Sequence, residues 1–151
     1  MLALLAACLP ACGTDVGKPV GGGAIPATMS ATEHAWAEEA LDRVNLERAR
    51  AGFPPLAWIE PAAQASYSHS VDMHLRDIFS HVNPDGAGPS DRLEQVGVSS
   101  PYVGENIAQG YYSAENVVDG WMASDDHRQN LLDPAFAAAG IGVHDGMAGP
   151  W

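Results

Sequence analysis

Between Ser30 and Gly52 the sequence spells out a complete helix, with its start, its buried stripe and its stop. Ser30 with Glu33 three positions on is a capping-box pair, which satisfies free amide groups at a helix start. Trp36, Ala37, Ala40, Leu41, Val44, Arg48 and Ala51 then recur at helical spacing. Gly52 and Pro54 end the run. Asp42 and Glu47 interleave with Arg43, Arg48 and Arg50, which reads as a charged, solvated outer face. An amphipathic helix of this length must bury its stripe against another layer, so the chain is committed to a packed domain.

The remaining punctuation sets the class. "PPLAWI" is a short extended connector, and Pro61 suits the first turn of a second helix that ends near Asp77. "NPDGAGPSD" is a loop, and Ser90 is placed to cap a short helix through Gln95 that stops at Gly97. "GENIAQG" reads as a strand or strand edge. Ser113 can cap a helix through Met122, and "AAAGIGVHDG" reads as a buried strand and a turn. Helices come first, then helices and strands mixed without βαβ alternation, so the expected class is α+β. The chain has 151 residues, enough for one domain with a core.

The formal net charge is -12, from 7 basic and 19 acidic residues. That balance argues against nucleic acid and against charge-driven binding to anionic lipid. Divalent cations are the partner such a surface favours. Both cysteines, Cys8 and Cys12, lie at the extreme N-terminus, which excludes a disulfide framework in the domain. The opening "MLALLAACLPAC" has the character of a secretion signal without its basic start, and is too short to span a bilayer. Leu5-Ala6-Ala7-Cys8 resembles a bacterial lipobox, with Leu9-Pro10-Ala11-Cys12 a weaker second copy. The expected organisation is a secretion or lipoprotein signal remnant at 1–12, a Gly/Pro-rich tether at 13–29 and a folded domain at 30–151. Cys8 or Cys12 would then be the lipidation site.

The candidates for chemistry are six histidines and a few carboxylates. His34 reads as a surface residue. His69 and His74 lie five apart on one helix and do not share a face, so one can pack while the other stays wet. His144 reads as a turn residue. His81 and His127 sit where rigid elements give way to polar turns, places where a site can be displayed. Glu105, in an apolar context, must find partners or stay exposed.

Together, "LDRVNLERARAGFPPLAW", "SHSVDM", "FSH", "DRL", "GENIAQG", "VVDGWMASDDHRQNLLDP" and "FAAAGIGV" resemble the bacterial branch of the CAP superfamily. That superfamily includes cysteine-rich secretory proteins, antigen 5 and plant pathogenesis-related proteins. The resemblance runs from residue 35 to about 144. It implies a three-layer α-β-α sandwich with a cleft holding two histidines and two glutamates. His81, Glu105 and His127 match three of these. Ser124 stands where the second glutamate is expected, three residues after Trp121, leaving Asp125 or Asp126 as replacements and Ser124 and Asn106 as further cleft candidates. The set implies a divalent metal, zinc preferred.

Three functions follow: an extracytoplasmic binding module for a small apolar or cell-envelope ligand, a metal-dependent hydrolase (no nucleophilic Ser or Cys stands beside a base), or a structural or adhesive domain. The pattern also departs at its end. After "GIGV" the family adds another strand, and Trp151 looks like its first residue, so the sheet is expected to lack its last strand and to expose ladder groups near 139–144. Glu105 is also expected to accept backbone amides, Arg92 to pair with Asp91 or Glu94 or to anchor the loop, and Tyr111 and Tyr112 to serve as core or cleft wall.

Overall fold

The computed structural model describes residues 2–7 and 28–146. Cys8, Cys12, most of the proposed tether and Trp151 lie outside the described residues. The elements are β1 (Leu2–Ala7), α1 (Ala31–Arg50), β2 (Ala57–Trp58), α2 (Glu60–Leu75), α3 (Pro89–Gln95), β3 (Val103–Ala108), α4 (Ala114–Ala123), α5 (Asp125–Leu131) and β4 (Ala138–Val143). The four strands form one sheet in the order β2-β4-β1-β3.

α1 starts as its cap predicts. Glu33 N–H donates to the Ser30 hydroxyl at 3.2 Å, and Ser30 N–H donates to Glu33 Oε2 at 2.8 Å. Its stripe of Ala37, Ala40, Leu41 and Val44 is buried. α4 starts the same way, with Ser113 Oγ accepting from Asn116 N–H. α3 does not use Ser90. Its N-cap is Gly88, whose N–H donates to Asp91 Oδ2 at 2.8 Å, because Pro89 already fits the first helical position and needs no amide partner.

β4 is the centre of the sandwich. Ala139, Ile141 and Val143 join α1, α4, Leu131 and Phe136 in the main core. Gly140 and Gly142 face the other way, onto α2. A Cβ on Gly140 would overlap the backbone at Ala63, and one on Gly142 the backbone at Tyr67. The absence of side chains lets α2 lie against the sheet, where Ser66 and Ser70 donate to the carbonyls of Gly140 and Gly142, each at 3.0 Å. Two buried hydrogen bonds of this kind contribute about 1 kcal/mol apiece. Helices thus cover both faces: α1 and α4 on one, α2 with α3 on the other. This is the expected three-layer α-β-α sandwich.

Two expectations are corrected. The ladder of β4 is not open, since β1 pairs with it antiparallel from Leu2↔Val143 to Ala7↔Ala138, and β2 takes Ala57↔Ala138 and Trp58↔Ala139 in parallel. β1 also pairs with β3, from Leu2↔Ala108 to Ala7↔Val103. Residues read as a signal remnant therefore supply a strand between β3 and β4, and an apolar run of that length suits a strand covered on both faces as well as it suits a leader.

Arg48 is the second correction, for it does not belong to the solvated face. It is 0% exposed and donates to the carbonyls of Pro54 (2.8 Å), Leu131 (2.8 Å), Asp133 (3.0 Å) and Phe136 (3.2 Å). Burial pushes its guanidinium below the ordinary arginine value. The fork of donors ties α1 to the end of α5 and the segment after it, and so helps hold the α5 region in place.

Candidate binding cleft

The cleft lies along β3, an edge strand, where successive side chains point to opposite faces. Glu105 points to the α2 side. There its Oε1 lies 2.8 Å from His81 Nδ1 and its Oε2 2.7 Å from an Arg92 NH2. Asn106 points to the other side, where it donates to the His127 carbonyl at 3.1 Å and accepts from Asn130 at 3.0 Å. Adjacent residues of one strand thus position the two histidines from opposite faces.

His81 stands in the loop after α2. α2 ends at Leu75, and just past its Arg76 cap Asp77 takes a positive φ of 53° while Ile78 N–H returns to the Met73 carbonyl. The loop is then clamped from below. His69, 1% exposed, holds the Ser80 carbonyl through Nε2 at 3.0 Å. Burial, countered in part by Glu105, keeps the His69 imidazole below its ordinary pKa, so it serves as a neutral donor. Arg92 donates to the carbonyls of Ala87 and His81 as well as to Glu105. It therefore anchors the loop, and does not pair with Asp91 or Glu94. Glu105 likewise spends its oxygens on side chains, not on backbone amides, because Arg92 and His81 reach it first.

With Nδ1–H donated to a carboxylate, the His81 Nε2 is the ring atom left for a ligand. His81 is half exposed. It shares a cavity of about 720 Å³ with His127, lined also by Phe79, Ile107, Tyr111 and Ser124. A neighbouring space of about 530 Å³ is lined by His81, Glu105, Asn106, Ser124, Asp126 and His127.

The acidic pair divides. Asp125 turns to Arg128 at 2.6 Å, whereas Asp126 lines the cleft. Ser124 occupies the N-cap of α5 but makes no side-chain cap bond. Tyr111 is cleft wall, and Tyr112, 86% exposed, is not core. Among the described residues, the one set of three whose ligand atoms all lie within 4.8 Å of one another is Glu33, His144 and Asp145. His81, Glu105 and His127 share the cleft without meeting that spacing.

Residues 41–150 match the family model described as CAP: Cysteine-rich secretory protein family. The chain belongs to the CAP family. Among CAP relatives, "Uncharacterized protein YkwD" of Bacillus subtilis is 35% identical over 117 residues, 78% of this chain and 44% of that protein. "Uncharacterized membrane protein YlbC" of the same organism is 37% identical over 106 residues, 70% of this chain and 31% of that one. The chain thus spans less than half the length of the curated relatives it matches. A crystal structure of an extracellular protein containing a SCP domain from Bacillus anthracis superposes with a TM-score of 0.75 at 34% identity, covering 83% of this chain and 42% of that one. An outer surface protein from Borrelia burgdorferi shares the fold, with a TM-score of 0.54 at 15% identity over 64% of this chain and 71% of that one.

Sequence reasoning left Arg92 between local pairing and loop anchoring, and missed His69, which holds the His81 loop from behind. Their partners, Ser80, His81 and Glu105, come from other elements of the fold.

Proposed function

We propose that this CAP domain is an extracytoplasmic binding module whose cleft takes a divalent cation on the imidazoles of His81 and His127, beside a small apolar or cell-envelope ligand. The supporting observation is the buried Arg92–Glu105–His81 chain of hydrogen bonds. A carboxylate that accepts from Nδ1 fixes the tautomer and ring direction of a metal-ligating histidine and raises its basicity. Glu105 therefore orients His81, while Asp126 at the rim is the carboxylate with freedom to approach an ion. The donor set of two imidazoles and a carboxylate fits a borderline ion such as zinc. When bound, such an ion would supply a Lewis-acidic anchor for an oxygen-bearing ligand.

Titration calorimetry with zinc tests the reading. Wild type should take up zinc, and His81→Ala and His127→Ala should each weaken it at least tenfold. A wild type that binds no zinc would overturn it.

Among the described residues no helix is long and apolar enough to cross a membrane, and the Bacillus anthracis relative is an extracellular protein. Attachment through a lipid on Cys8 or Cys12 is part of the proposal; its processing would remove the residues before that cysteine, β1 included, so labelling decides between an anchor and a retained β1 strand. Radiolabelled palmitate should label the protein, and a chain that takes no label is not lipid-anchored.

A further inference from the structure

We propose that Glu33, His144 and Asp145 form a second divalent-cation site, on the opposite end of β4 from β2 and separate from the His81–His127 cleft. Glu33 lies in the first turn of α1, and His144 and Asp145 follow directly on β4. The ligand atoms of the three side chains all fall within 4.8 Å of one another. Glu33 Oε1 lies 3.4 Å from His144 Nδ1. A tetrahedral ion with bonds of roughly 2.0–2.1 Å sets neighbouring ligand atoms about 3.3–3.4 Å apart, so these two are already at ligand spacing.

The scaffold is prearranged. Glu33 and His144 are each 6% exposed. Glu33 is held by two backbone amides, Ser30 N–H on Oε2 and Asp145 N–H on Oε1 at 3.2 Å. The His144 ring is braced by edge contacts with Tyr67 and His74, at centroid distances of 6.2 and 4.9 Å.

The donor chemistry points the same way: two carboxylates and an imidazole converge here, and Glu33 already pairs with His144. Access is open, since the three residues line a cavity of about 430 Å³ whose other walls include Trp36, Tyr111 and Val117. One nitrogen and two carboxylate oxygens suit a borderline first-row ion with water completing its shell.

The experiment measures zinc bound per chain at equilibrium dialysis, with circular dichroism confirming the fold of each variant. The His81→Ala/His127→Ala protein should still bind one zinc. Adding Asp145→Asn, an exposed and mild change, should weaken that zinc at least tenfold. Glu33→Gln, which keeps an oxygen for the cap, should do the same. Cobalt in place of zinc should give a visible d–d band that His144→Gln alters. If the His81→Ala/His127→Ala protein binds no zinc, or binds it equally well after Asp145→Asn and Glu33→Gln, the second site is wrong. One wild-type zinc lost with the cleft histidines but indifferent to Asp145→Asn would overturn this site and leave the cleft reading standing. One zinc lost with Asp145→Asn but indifferent to the cleft histidines would do the reverse.

Discussion

Replacing Glu105 by alanine tests whether the cleft is held together by one buried carboxylate. The Glu105 side chain is 0% exposed and its Arg92 partner 6%. Two hydrogen bonds disappear, to Arg92 at 2.7 Å and to His81 at 2.8 Å. Bonds to charged groups contribute roughly 1.5–3 kcal/mol each. The larger effect is what remains, a guanidinium buried without its counter-charge. Breaking a buried pair from one side costs about 3–5 kcal/mol. Against a typical stability of about 5–15 kcal/mol, the variant should fold but melt early.

Urea unfolding of Glu105→Ala, Arg92→Met and the double variant forms a closed cycle. The double variant should lose less than the sum of the singles, because no charge is left stranded. Zinc affinity at the cleft should fall about 10- to 100-fold in Glu105→Ala, the usual effect of removing a ligand's orienting partner. A stability loss under about 1 kcal/mol, or strict additivity, would refute the reasoning.

The pH dependence follows from His69 and His144, both held below the ordinary imidazole value of 6.5, chiefly by burial. The unfolded chain binds more protons than the native one just below that pH. The histidine contribution is therefore fully present above about 6.5 and is lost as pH falls through it toward the native values. Urea midpoints should drop from about pH 7.5 to 5.5, and His69→Gln should flatten the slope; a flat wild-type profile would contradict this. Gly142→Ala should cost at the upper end of about 1–3 kcal/mol, since its Cβ meets the Tyr67 backbone and not a yielding side-chain tip; a thermal melt matching wild type would show that α2 can back away. Removing residues 1–7 should lower the melting temperature and promote association by opening the facing edges of β3 and β4. If that variant melts unchanged and stays monomeric in sedimentation, β1 contributes nothing to the sheet.

Local signals were legible where the physics is local. The Ser30–Glu33 box, the Ser113 cap and the stop at Gly52 each concern amides within one turn, so residue type and spacing suffice. The run "AAGIGV" also reads correctly as a buried strand, because a short apolar run bounded by turn signals is legible in residue type alone. The identities of His81, Glu105 and His127 came from ordered motifs that resemble a family.

What each does depended on distance across the fold. Arg48 reads as a surface charge until four carbonyls from the α1–β2 connector, the end of α5 and the segment after it surround it. Asp125 and Asp126 are equivalent in sequence, and only the turn of α5 gives one to Arg128 and the other to the cleft. Glu33 and His144 read as a cap and a turn residue because nothing near either one mentions the other. The sequence alone determined the main helices, the Ser30 and Ser113 caps, the buried strand and the family. The tertiary structure decided the partners, because a buried charge or imidazole takes its role from groups that only long-range packing brings within hydrogen-bond reach.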